Sequence, residues 1–126
     1  MAYILLAEDD ESLRSFLARG LQKVGHQVWD VPDGVSALDA ISENHFDLMI
    51  ADIVMPGMDG IELARRACLE LPGLRVMFIT GFAAVALKAQ ALSPFGADSK
   101  TDAKVLSKPF HLRTLVDEID RVLEVA

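Results

Sequence analysis

The stretch Tyr3-Ile4-Leu5-Leu6-Ala7-Glu8-Asp9-Asp10 turns without transition from an apolar run into three successive carboxylates. A short apolar run that stops this abruptly reads as a β-strand buried on both faces, with its acidic end brought out at a surface. Runs of β type recur at Gln27–Val31, Leu48–Ala51, Val76–Thr80 and Lys104–Ser107, and two of them lead straight into a charged residue, Asp52 and Lys108.

Helical spacing fills the intervals. Leu13, Phe16, Leu17, Leu21 and Val24 make an amphipathic first helix, and Gly25 stands where such a helix stops. Val35, Leu38 and Ile41 mark a short second helix; Ile61, Leu63, Ala64, Ala67, Cys68 and Leu71 mark a third that ends before Pro72. A fourth is expected over Ala83–Leu92, with Lys88 and Gln90 its only polar residues, then a loop over Ser93–Asp102. Leu112, Leu115, Val116, Ile119, Val122 and Leu123 form the stripe of a closing fifth helix. Five strand-helix units with right-handed crossovers give an α/β fold, a doubly wound parallel sheet covered by helices on both faces. Ligands bind such sheets beyond the C-terminal ends of the strands, which singles out Glu8-Asp9-Asp10, Asp52, Thr80-Gly81 and Lys108-Pro109.

With 126 residues the chain fits one domain, expected to span 1–126 with no separate output module. A formal net charge of -7 argues against direct nucleic-acid binding. No signal-peptide pattern opens the chain and no apolar run approaches the roughly 20 residues of a membrane span, so a cytoplasmic protein is expected. Cys68 is the single cysteine and reads as helix packing.

Glu8, Asp9 and Asp52 should converge from neighbouring strands. Three adjacent carboxylates repel one another unless a hard cation or protons compensate them, and Mg2+ suits an all-oxygen set that leaves room for water or phosphate. Thr80 and Lys108 bring a hydroxyl and an ammonium to the same rim. An anionic group formed on Asp52 would meet metal, hydroxyl and cation together, the arrangement that phosphoryl transfer to a carboxylate nucleophile needs.

On these residues the sequence resembles the receiver domains of response regulators in two-component signalling. The matching features are Glu8-Asp9, Asp52 followed by Met55-Pro56-Gly57-Met58-Asp59-Gly60, Thr80-Gly81, and Lys108-Pro109-Phe110, and the likeness extends over essentially the whole chain. The resemblance implies a single CheY-like (βα)5 domain with strand order 2-1-3-4-5 and a cis Lys108–Pro109 bond. It implies that Asp52 is phosphorylated by a histidine kinase or histidine phosphotransferase, with Thr80 and Lys108 assisting. It makes Glu8, Asp9, Asp52 and the main-chain carbonyl of Val54 the Mg2+ ligands. Output would be a changed protein-binding face of the fourth helix, fifth strand and fifth helix, with no enzymatic activity beyond the domain's own phosphorylation and dephosphorylation.

The runs Ile4–Asp10, Asp52–Gly57 and Val105–Phe110 are further similar to CpdR-type regulators of alphaproteobacteria, which implies a phosphorylation-controlled adaptor for the ClpXP protease. Two features depart from the family. Val105 occupies the position where many members carry a switching Tyr or Phe, and extra residues around Ser93–Asp102 lengthen the interval from Thr80 to Lys108. A phosphate shuttle or sink is the alternative within signalling. A flavodoxin-like cofactor carrier fits poorly, because the loop after the first strand is acidic where a nucleotide phosphate needs amides. A haloacid-dehalogenase-type phosphatase expects Asp or Thr where this chain has Val54.

Simpler roles suit the remaining candidates. Asp10 and Asp59 read as helix caps, His26, His45 and His111 form no ligand set, and Trp29, Met49 and Met77 read as core or sheet-face packing. Phe82 divides evenly between packing and a partner contact.

Overall fold

The computed structural model describes residues 2–81 and 104–124. The expected helix over Ala83–Leu92, the loop over Ser93–Asp102 and Phe82 therefore lie outside the described residues. The elements run β1 (Tyr3–Ala7), α1 (Glu11–Lys23), β2 (Gln27–Val31), α2 (Gly34–Glu43), β3 (Leu48–Asp52), α3 (Gly60–Glu70), β4 (Arg75–Gly81), β5 (Lys104–Lys108) and α4 (Leu112–Glu124). All four strand pairings are parallel and the order is β2-β1-β3-β4-β5, as the resemblance implied. Three strands reach further than their apolar runs, because the ladder continues through Asp52, Gly81 and Lys108.

Alternation along β1 and β3 divides the core in two. Leu5, Ala7, Met49 and Ala51 face Ala37, Ala40 and Ile41 of α2 and Leu63, Ala64 and Ala67 of α3. Ile4, Leu6, Leu48 and Ile50 face Leu17, Ala18 and Leu21 of α1 and Leu115 and Ile119 of α4. Every residue of β3 is buried, as a strand covered on both faces must be. Met49 and Met77 are fully buried, whereas Trp29, on edge strand β2, stays 38% exposed with its ring edge-on to Phe46.

The helices start where the sequence chemistry allows. Asp10 caps α1 by accepting from Leu13 N at 3.1 Å, Asp33 caps α2 through Ser36 N, and Asp59 caps α3 through Glu62 N. Gly25 ends the first helical unit with φ of 104°, a conformation that only glycine adopts without strain.

Candidate functional site

Where β1 ends, Glu8 continues the ladder by donating its N–H to Val31 O at 3.1 Å, and its side chain is fully buried. Its two carboxylate oxygens are divided between two donors: Lys108 Nζ gives a hydrogen bond to Oε1 at 3.0 Å and Asp10 N gives one to Oε2 at 2.9 Å. Burial pushes the Glu8 pKa up, and the nearby Asp52 charge adds to this; the Asp10 amide and Lys108 offset only part, leaving it at about 7.

Asp52 closes β3 with 4% exposure. Lys108 Nζ donates to its Oδ2 at 2.7 Å and Val54 N to its Oδ1 at 3.0 Å. One ammonium thus bridges two buried carboxylates brought from the ends of β1 and β3. Burial works against the Lys108 charge, but the hydrogen bonds and charges of Asp52 and Glu8 together outweigh it and raise its pKa. The Lys108–Pro109 peptide is cis.

Asp9 is exposed beside this pair, and ligand oxygens of Glu8, Asp9 and Asp52 lie within 4.8 Å of one another. An octahedral ion with bonds of about 2.0–2.1 Å holds opposite ligands about 4 Å apart, so small side-chain adjustments would close this set around Mg2+. The donors are hard oxygens, the site has an exposed side through Asp9 and Val54, and the residues present fit that ion.

Thr80 is fully buried near the end of β4, and its Oγ1 has no hydrogen-bond partner among the described residues. The register pairs Asp52 with Ile79, Thr80 with Ser107 and Gly81 with Lys108, so hydroxyl, carboxylate and ammonium come from consecutive rungs at one end of the sheet. A buried hydroxyl without a partner is costly unless another state supplies one.

The β3–α3 loop is shaped to this site. Ile53 N donates to Ile79 O at 3.0 Å and Gly60 N to Ile53 O at 2.8 Å, which folds the loop back over the end of β3. A Cβ on Gly60 would lie 2.3 Å from Asp52 O, and Gly57 turns with φ of 75°. These two glycines allow the Met55–Gly60 motif its course. Asp10 and Asp59 serve as caps. Val105 is half-buried against the α2 and α3 core, so no aromatic ring stands there.

Two side chains carry more than their sequence positions suggested. Arg14 of α1 donates from Nη1 to Glu8 O at 2.8 Å and from Nε to Asp30 Oδ2 at 3.2 Å. An arginine one turn inside the helix that follows an acidic loop was the only signal. His26, at the other end of the sheet, is buried and accepts Ala2 N at Nδ1, 3.1 Å away. It serves as a structural acceptor.

Known proteins agree with this geometry. The family described as response regulator receiver domain matches residues 4–120. The response regulator receiver protein CpdR of Brucella abortus (strain 2308) is 54% identical over 126 residues, covering all of both chains. The sensor kinase CckA of the same strain is 34% identical over 98% of this chain but only 13% of its own length. Among solved structures, the Vibrio cholerae chemotaxis protein CheY4 superposes with a TM-score of 0.83 at 27% identity, covering 97% of this chain and 98% of that one. No helix among the described residues is long and apolar enough to cross a membrane. By family match, by full-length relative and by sheet topology, this chain belongs to the response regulator receiver domains of two-component signalling.

Proposed function

We propose that Asp52 accepts a phosphoryl group from the phosphohistidine of a histidine kinase or histidine phosphotransferase, with Mg2+ held by Glu8, Asp9, Asp52 and the main-chain carbonyl of Val54. The observation that carries this reading is the Lys108 ammonium 2.7 Å from Asp52 and 3.0 Å from Glu8, with Asp9 beside them. A carboxylate oxygen of Asp52 attacks phosphorus, a P–O bond forms as the P–N bond to the imidazole breaks, and the released imidazole takes a proton from solvent. Magnesium, when bound, supplies neutralisation of the charge on the phosphoryl oxygens. Lys108 exchanges part of its carboxylate contact for a phosphoryl oxygen, and Thr80 Oγ1 gains the acceptor it lacks. No reaction beyond phosphorylation and dephosphorylation of Asp52 is assigned to the chain.

The output is a changed protein-binding surface in the cytoplasm. The 54% identity to CpdR over both full lengths supports the finer reading of a CpdR-like adaptor for the ClpXP protease. Phosphotransfer from a radiolabelled histidine kinase should label the wild type and leave Asp52→Asn unlabelled; label on both would exclude Asp52 as acceptor. Degradation by purified ClpXP should then proceed at different rates with the phosphorylated and unphosphorylated chain, and equal rates would remove the adaptor reading while leaving the acceptor intact.

A further inference from the structure

We propose that Arg14 is a positioning residue for the divalent-cation site, acting through the peptide that joins Glu8 to Asp9. The inference rests on the metal reading above. Arg14 leaves only 16% of its side chain exposed, although an arginine on a surface helix ordinarily keeps its guanidinium in water. It reaches back across the β1–α1 loop instead, donating to Glu8 O at 2.8 Å. Asp30 of β2 anchors the other side of the fork at 3.2 Å.

The main chain of Glu8 is thereby held twice, its N–H by Val31 O and its carbonyl by Arg14. The first bond holds the Ala7–Glu8 peptide and the second the Glu8–Asp9 peptide, so the turn between them at Glu8 is constrained and Arg14 sets the plane of the Glu8–Asp9 peptide. That plane decides where the Asp9 Cα stands, and so whether the exposed Asp9 carboxylate converges with those of Glu8 and Asp52. Asp10 N is drawn to Glu8 Oε2, and Arg14 N donates to Asp10 O at 2.8 Å, so the loop closes on the residue that orients it.

Charge and geometry predict opposite outcomes. A guanidinium close to a cation site weakens binding by repulsion, so its loss would tighten binding if charge alone mattered. Loss of orientation weakens binding, and partners that orient metal ligands contribute roughly 10- to 100-fold in affinity.

The test titrates magnesium at constant ionic strength into the full chain and its Arg14→Gln, Arg14→Lys and Asp30→Asn variants, reading the apparent dissociation constant from the rise in melting midpoint. Expected is weakening by about tenfold in Arg14→Gln. Arg14→Lys should be only partly restored, since one ammonium cannot span both acceptors. Asp30→Asn, which keeps Arg14 but loosens its anchor, should weaken binding by a smaller factor. Circular dichroism without metal checks that each variant folds; should Arg14→Gln fail to fold, an unchanged constant in Asp30→Asn overturns the inference. Unchanged or tighter binding in a folded Arg14→Gln overturns it as well, while a saturable wild type leaves the metal site standing. A wild type with no saturable response overturns the metal reading and this inference with it.

Discussion

Glu8 is a carboxylate without solvent, and it can ionise only because Lys108 and the Asp10 amide each attend one of its oxygens. Their help is incomplete, which is why its pKa stands at about 7 where an exposed glutamate would sit near 4.5. His26 shows the converse at the opposite end of the sheet. Burial holds its pKa below 6.5, with Asp120 pulling weakly the other way, and Nδ1 must stay unprotonated to accept Ala2 N. Between its lowered folded pKa and 6.5 His26 therefore binds fewer protons in the folded than in the unfolded state, so the stability it contributes is present above pH 6.5 and is lost as pH falls through that window. Comparing the wild type with His26→Asn, whose side-chain oxygen can still accept the amide, cancels the titration of other groups. The stability advantage of the wild type in urea melts should shrink between pH 7 and pH 5; an advantage that grows on acidification would contradict this account of His26.

At the scale of elements, each helix that borders the site begins at a short acidic cap, Asp10 for α1 and Asp59 for α3. Cap chemistry is local and so is legible in sequence: an aspartate just before an amphipathic stripe announces both starts. Contacts that cross between elements are not. Nothing in the order of residues says that α3 must approach β3 so closely that Gly60 lacks room for a methyl group. Alanine is the better helix former by about 1 kcal/mol, yet Gly60→Ala should destabilise by about 1–3 kcal/mol, because the obstacle is the Asp52 backbone and cannot rotate aside. Its phosphorylation should also slow as the end of β3 shifts. Urea melts that show Gly60→Ala more stable than the wild type would refute the close approach. Arg14 escaped for the same reason, since its partner Glu8 lies across a turn whose geometry only folding defines.

Across the whole molecule, the parallel sheet makes one set of sequence positions meaningful in advance. Residues just beyond the strands must gather at one end, so Glu8, Asp9, Asp52, Thr80 and Lys108 could be grouped from strand pattern and residue chemistry. The ladder extends one residue further than the apolar runs at Asp52 and Lys108, because main-chain pairing does not require an apolar side chain. What the pattern left open is the assignment of bonds within the group, notably the single ammonium shared by Glu8 and Asp52 and the hydroxyl of Thr80, without a partner among the described residues. Carboxylate repulsion there links the site to global stability. Magnesium should raise the melting midpoint of the wild type, and Asp9→Asn, which removes one proposed ligand, should shrink that rise; an equal rise in both would place the ion elsewhere.

Intact mass spectrometry after incubation with magnesium and a small acyl-phosphate donor bears most directly on the acceptor. The wild type should gain one phosphoryl mass that hydroxylamine removes and that chelation of magnesium prevents, while Asp52→Asn gains none. An adduct of the same lability on Asp52→Asn, or one formed equally well without magnesium, would contradict the account.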